Sequence, residues 1–296
     1  MNAREEGFLL LSSFLGNPER KPLTVAQLRT LAMRMATMER PETQRELTAE
    51  DLHSLGYGPE MAQHILKLLE DLPLLRHYHA KGWQVDCTPI TRVSQGYPVH
   101  LRKRLGLDSP GVLWAKGDMS LLDKPKISLV GSRDIDKNNA EFAAAVGSEA
   151  ARQGYVLVSG NARGADRIAQ KACLNAGGQI ISVVADELMK QSVKPNVLYL
   201  SEDGFDAPFT SLRALSRNRV IHALSDKVFV AQCTLGMGGT WSGTVRNLKE
   251  NWSPVFCFRD GSEAAVHLEQ LGAALVELKE LADITALQSQ STSLFG

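Results

Sequence analysis

The chain has no net charge: 33 Lys and Arg balance 33 Asp and Glu. Bulk electrostatics therefore give no support for nucleic-acid binding, and any such claim has to rest on local clustering. Cysteine is scarce. Cys87, Cys173, Cys233 and Cys257 lie far apart with no C-x-x-C pair, and they read as reduced, mostly buried thiols of a cytosolic protein. No apolar run is long enough to span a membrane. Phe8 to Leu15 is short, is broken by Ser12 and Ser13, and follows Arg4, Glu5 and Glu6, which suits neither a signal peptide nor a transmembrane helix. A cytoplasmic protein with no membrane partner is expected.

The sequence marks of several chemistries are missing too. There is no H-x-x-x-H pair and no G-x-S-x-G, so metal hydrolysis and serine-esterase chemistry lack their usual signatures. His77 and His79 form the only close histidine pair and read as a helix end. No lysine of the G-x-x-x-x-G-K-[ST] type follows any glycine turn, which disfavours a Walker-type NTPase. No internal repeat stands out. These absences point to a binding protein with no catalytic residues, no metal and no cofactor.

What is present falls into two parts. Residues 1–82 read as a small helical domain. Thr24 is placed to cap a helix running from Leu23 to Met38, and Thr48 with Glu50 and Asp51 starts another. The Gly56-Tyr57-Gly58 turn and the apolar face Ile65, Leu66, Leu68, Leu69 resemble a helix-hairpin-helix (SAM-like) unit, whose hairpin amides can contact a DNA phosphate; a plain helical bundle fits equally. Residues 83–284 carry short strands and helices, and 285–296 read as a flexible tail. Strands are expected at 83–85, 112–115, 127–130, 155–158, 180–184, 227–231 and 254–258. Helices are expected at 138–153, 165–176, 212–224, 243–250 and 262–271. Strands separated by single helices pair in parallel, which gives a doubly wound α/β sheet with its ligand crevice beyond the carboxyl ends of the strands.

Four glycine- or arginine-rich segments fall at such ends. Gly131-Ser132-Arg133 follows the strand 127–130, and Ser159-Gly160-Asn161-Ala162-Arg163-Gly164-Ala165-Asp166 follows the next. Such turns aim backbone N–H groups and a helix N-terminus at an anion, and each places an arginine beside them. Arg163 could instead pair with Asp166. Arg217-Asn218-Arg219 sits on the helix 212–224, where two residues of separation put the arginines about 200° apart, so one faces the crevice and the other pairs internally. Gly238, Gly239 and Thr240, with Ser242 and Thr244, open the next helix as a phosphate cradle. Basic residues gather in these segments: eight Lys/Arg against five Asp/Glu over 124–171, and six against two over 208–250.

Taken together, Tyr97-Pro98 with Leu101, Pro110-Gly111-Val112-Leu113-Trp114-Ala115-Lys116-Gly117, Val130-Gly131-Ser132-Arg133, the 159–166 segment and Arg217-Asn218-Arg219-Val220-Ile221 with Ala223-Leu224-Ser225 resemble the DprA/Smf family of DNA-processing proteins. The resemblance covers about 97–258. It implies an extended Rossmann-like domain that binds and shields single-stranded DNA, helps load the RecA recombinase in recombination or natural transformation, and forms a homodimer. Carried over by position, Arg133 would contact phosphate with Gly131 and Ser132 beside it. Gly160, Arg163 and Gly164 would form the neighbouring wall, and Arg217 and Arg219 would line or brace the crevice. The family lysine has its counterpart in Lys190 or Lys194, beside Pro195-Asn196.

The sequence departs from the family in lacking the tyrosine-proline after the third strand, in having Asn161 where leucine is usual and in a longer turn over 236–244, and no C-terminal winged helix is expected. A member with another task, such as phage defence, is one alternative. A nucleotide-binding enzyme or sensor similar to the lysine-decarboxylase-like phosphoribohydrolases is another. Against the enzyme stands the glutamate those proteins carry on the helix after the glycine turn: Gly243 and Thr244 occupy that region here, and Glu250 lies too far along.

Overall fold

The computed structural model describes residues 1–38 and 46–289. Of the expected tail at 285–296, residues 290–296 lie outside the described residues. Among the described residues the chain opens with five helices: α1 (Ala3–Ser12), α2 (Val25–Met35), α3 (Ala49–Ser54), α4 (Pro59–Glu70) and α5 (Leu72–Gln84). Thr24 caps α2 and Thr48 caps α3, each accepting from the backbone N–H three residues on within a capping box. The segment 83–85 does not form a strand, because Trp83 and Gln84 finish α5. The order continues β1 (Thr88–Thr91), α6 (Val99–Leu105), β2 (Val112–Gly117), β3 (Lys126–Val130), α7 (Lys137–Arg152), β4 (Val156–Ser159), α8 (Ala165–Asn175), β5 (Gln179–Val183) and β6 (Val197–Ser201). It ends with α9 (Ser211–Ser216), α10 (Asn218–Leu224), β7 (Lys227–Val230), α11 (Gly238–Glu250), β8 (Val255–Phe258), α12 (Glu263–Gln270) and β9 (Ala274–Val276).

One nine-stranded sheet runs β1-β2-β6-β5-β4-β3-β7-β8-β9. From β6 to β9 all neighbours are parallel, while β1 and β2 add an antiparallel edge to β6. The central strands are buried along their length, as parallel strands covered on both faces must be. On one face Leu129, Leu157 and Phe229 pack against Phe142 and Val146 of α7 and Ala169 of α8. On the other, Val130, Val158 and Val230 pack against Leu101 of α6 and Val220 and Leu224 of α10. The fold is therefore the doubly wound α/β sheet that the alternation of strands and helices implies. The first face also takes in Leu9 and Leu10 of α1 and Tyr78 of α5, so these helices share the sheet's core. A smaller apolar cluster, including Leu31, Leu52 and Ile65, lies within the N-terminal helices.

Several elements depart from the sequence expectation. β1, β6 and β9 are additional strands. The helix expected at 212–224 is interrupted at Arg217, giving α9 and α10. α11 begins five residues earlier than expected, so Gly238 to Thr240 form its first turn. Residues 284–287 are tied down, because the Lys227 ammonium donates to the carbonyls of Ile284, Thr285 and Leu287 at 2.5, 3.1 and 2.6 Å.

Candidate functional site

The chain winds outward from β3 through β4, β5 and β6, then returns to place β7 on β3's other side. The loops after β3 and β7 therefore diverge, leaving a crevice at the carboxyl end of the sheet where ligands of such folds bind. Here the crevice is a cleft of about 430 Å³, lined among others by Ser132, Arg133, Asp166, Arg217, Asn218 and Thr240. Three helices, α7, α8 and α11, begin at this edge. Met237 precedes α11 without a side-chain cap, which leaves the first-turn amides of Gly238, Gly239 and Thr240 free to meet an anion. The α8 start is already engaged, since the Ala165 N–H donates to the Ser132 carbonyl at 3.1 Å.

The 159–166 segment acts chiefly as the wall that shapes this cleft. Asp166 Oδ2 accepts from the backbone N–H groups of Gly160 at 3.0 Å and Ala162 at 3.2 Å. Burial pushes this carboxyl's pKa up, and the Arg217 guanidinium acts against that as the main opposing charge. Arg217 is itself 7% exposed and donates from Nη1 to the Val183 carbonyl at 2.8 Å, while its Nε has no partner. Gly160 lies directly beneath this guanidinium, where a Cβ would overlap it. Gly164 adopts φ +83, and a Cβ there would stand 2.5 Å from the Arg133 carbonyl oxygen. The glycines let two backbone segments and a buried arginine meet at distances no side chain allows.

Arg133 is exposed at the cleft and makes no hydrogen bond or ion pair with any described residue. Ser132 spends its hydroxyl locally, donating to the Asp134 carbonyl at 2.6 Å. Gly131 presses on Ala165, and its carbonyl accepts from the Thr240 hydroxyl at 3.0 Å. Asn218 donates to the Gly239 carbonyl at 3.0 Å, joining α10 to the start of α11.

The remaining candidates lie elsewhere. Arg163 sits on the exposed rim and pairs with Asp134 at 2.6 Å, not with Asp166. Arg219 turns away from the cleft: its Nη2 meets Glu202 at 2.7 Å and its Nε donates to the Asp108 carbonyl at 3.0 Å. Ser159 is fully buried in β4, accepting from Gln170 at 2.7 Å. Thr244 is fully buried within α11, and Ser242 is exposed on that helix beyond the cleft lining. Lys194 precedes the amino end of β6, which pairs in parallel with β5 from Val197 onward. It therefore lies at the opposite edge of the sheet, and Lys190 is tied to Glu187 at 2.7 Å. Glu250 ends α11, at the far end of that helix from the cleft.

Sequence reasoning missed the outer lip, formed by Ser211, Ala214 and Leu215 of α9 facing Met237. Phe209, Leu212, Leu215 and Met237 are all at least half exposed. Leu212 and Leu215, three residues apart ahead of a basic segment, were the available signal, but helical spacing alone reads as a buried face. Among the described residues no group of His, Cys, Asp and Glu could hold a metal ion, and no helix is long and apolar enough to cross a membrane.

Comparison with known proteins agrees with this geometry. The family model "DNA recombination-mediator protein A" matches residues 88–286, about two thirds of the chain, and the chain belongs to that family. The DNA processing protein DprA of Bacillus subtilis is 33% identical over 198 residues, covering 63% of this chain and 63% of that protein. DprA of Streptococcus pneumoniae is 32% identical over 184 residues, covering 57% of this chain and 64% of that protein. The matched region thus spans just under two thirds of these relatives' length. The crystal structure of the Streptococcus pneumoniae protein superposes with a TM-score of 0.71 at 26% identity, covering 93% of this chain and 95% of that one. A structure of the Helicobacter pylori protein, solved for its single-stranded DNA binding mode, superposes with a TM-score of 0.55 at 26% identity over 66% of this chain and 94% of that one.

Proposed function

We propose that this member of the DNA recombination-mediator protein A family binds single-stranded DNA by its backbone, with the cleft beyond β3 and β7 as the binding site. The observation that carries the reading is Arg133, an exposed guanidinium with no partner among the described residues, set beside the open first turn of α11. The groups that would meet phosphate are Arg133 and the amides of Gly238, Gly239 and Thr240, with the buried Arg217 adding positive charge from behind the cleft wall. Gly131, Ser132, Gly160, Gly164 and Asn218 shape the walls that hold them. Contacts of this kind carry no base readout, so affinity falls steeply with salt and varies little with sequence. In this role the protein shields the strand and passes it to the RecA recombinase, acting as a homodimer. Gel shifts with single- and double-stranded oligonucleotides at two salt concentrations test the reading. Preferential, salt-sensitive binding of the single strand is expected, and equal or salt-insensitive binding of both would refute it.

A second reading has one observation in its favour. A cleft of about 430 Å³ lies within the size range of small-ligand pockets, so a mononucleotide would fit as a substrate or a signal. Against catalysis, Asp166 is the only carboxylate lining the cleft among the described residues, and its Oδ2 is taken by two backbone amides. Calorimetry with mononucleotides against oligonucleotides, together with an assay for ribose 5-phosphate release, separates the two readings. Turnover, or tight binding of the mononucleotide alone, would reverse the ranking.

A further inference from the structure

We propose that the N-terminal helical region holds the outer lip of the cleft in place through Tyr78, which makes Tyr78 a positioning residue for strand binding. This rests on the DNA-binding reading above. The lip is α9, and none of its six residues is buried. Leu212 is 76% exposed and Leu215 50%, so core packing does little to fix this helix. Its position depends on tethers. Arg213 supplies one set, donating from Nη1 to the carbonyls of Ala185, Ala207 and Pro208 at 2.6, 2.7 and 2.8 Å, from Nη2 to Ser201 Oγ at 2.8 Å, and from Nε to Asp203 at 2.7 Å. Two of these bonds, to Ala185 and Ser201, anchor α9 to the sheet, and three, to Asp203, Ala207 and Pro208, tie it to its own approach segment, 202–210, so the lip's position also depends on what fixes that segment.

The Met189 N–H, Ser201 Oγ and Arg219 hold Phe205, Gly204 and Glu202 of this segment, and the group that holds Asp206, nearest the lip, comes from α5. Tyr78 is 4% exposed, and its hydroxyl donates to Asp206 Oδ1 at 2.6 Å. Burial, then the Asp206 carboxylate, push the phenol's pKa up, so it stays a donor. Its ring lies 4.6 Å from that of Phe205 and 5.3 Å, edge-on, from Trp114 of β2, centroid to centroid. Gly16 and Gly204 close on the same side chain: a Cβ would stand 2.7 Å from Tyr78 Cε2 or 2.6 Å from its hydroxyl, respectively. A continuous path therefore runs from α5 through Asp206 and the 202–210 segment to Arg213, and from there to Ser211, Ala214 and Leu215 at the cleft.

The test compares Tyr78→Phe, Asp206→Asn and the double variant with wild type and with Arg133→Ala. Oligothymidine affinity is measured across a salt series, and amide hydrogen exchange is measured without DNA. Either single change should weaken binding by about two- to ten-fold, up to the full worth of one hydrogen bond. The salt slope should not change, because no phosphate contact is lost. Exchange should speed up over 207–216, and the double variant should be no worse than the singles. Unaltered exchange in that segment, wild-type affinity in both single variants, or a changed salt slope would each overturn the proposal. Arg133→Ala keeps the two ideas separate. If it binds like wild type, the DNA site is wrong, while the exchange rates still test the brace.

Discussion

Replacing Gly164 with alanine would put a methyl group 2.5 Å from the Arg133 carbonyl oxygen and 2.7 Å from its carbonyl carbon, roughly 1 Å short of ordinary contact. The obstacle is backbone, so no rotamer change relieves it. Gly164 also has φ +83 and ψ −131, a region that costs an L-residue on the order of 1–3 kcal/mol. Overpacking adds a further ~1–3 kcal/mol. The sum is about 4 kcal/mol of lost stability. With a urea m-value near ~2 kcal/mol/M, the unfolding midpoint should fall by roughly 2 M. The strain falls on the 132–133 segment, so DNA affinity should drop as well, through displacement of Arg133. Gly96→Ala is the control: a Cβ there meets nothing within 4 Å, and the change should stay within ~0.5 kcal/mol. A Gly164→Ala protein that unfolds at the wild-type midpoint and binds DNA normally would refute the account of this loop.

Two more outcomes follow from buried groups. His222 is fully buried, and burial drives its imidazole pKa down to about 4. The folded state therefore takes up its proton later than the unfolded chain, whose histidine titrates near ~6.5. The resulting stability is full above that value and is lost as pH falls toward about 4, to a limit of about 3 kcal/mol. Urea midpoints measured down this range should fall less steeply in His222→Gln, and parallel profiles would count against it. Arg219→Met should destabilise by about 3–5 kcal/mol, because it strands the buried Glu202 carboxylate. It should leave the salt slope of DNA binding untouched, and a shallower slope would mean that Arg219 reaches phosphate after all.

The alternation of apolar runs and helical patterns made the parallel core readable, because strands covered on both faces are apolar almost throughout, as in Ile127-Ser128-Leu129-Val130, where Ser128 alone is polar. β6 escaped because no helix separates it from β5. Only a short 3-10 turn, Leu188–Lys190, lies between two strands that still pair in parallel. Lys194 was named only as the counterpart of the family lysine, and it precedes the amino end of its strand, at the edge of the sheet opposite the cleft. Among the site residues, the glycines and Arg133 were legible because turn chemistry is local. The roles of the other arginines were not, since they depend on partners far along the chain: Val183 for Arg217 and Glu202 for Arg219. Ser159 and Thr244 carry the right chemistry but point into the core. Asp166 turned out to be the keystone of its loop through backbone amides, not as a partner of Arg163.

The central claim is that Arg133 meets a phosphate of single-stranded DNA in the cleft beyond β3. The most direct measurement is the slope of log affinity against log salt for wild type and Arg133→Ala on the same single-stranded oligonucleotide. Loss of one phosphate contact should make the slope shallower by about 0.7 and weaken binding to all sequences alike. Identical slopes and affinities for the two proteins would contradict the account.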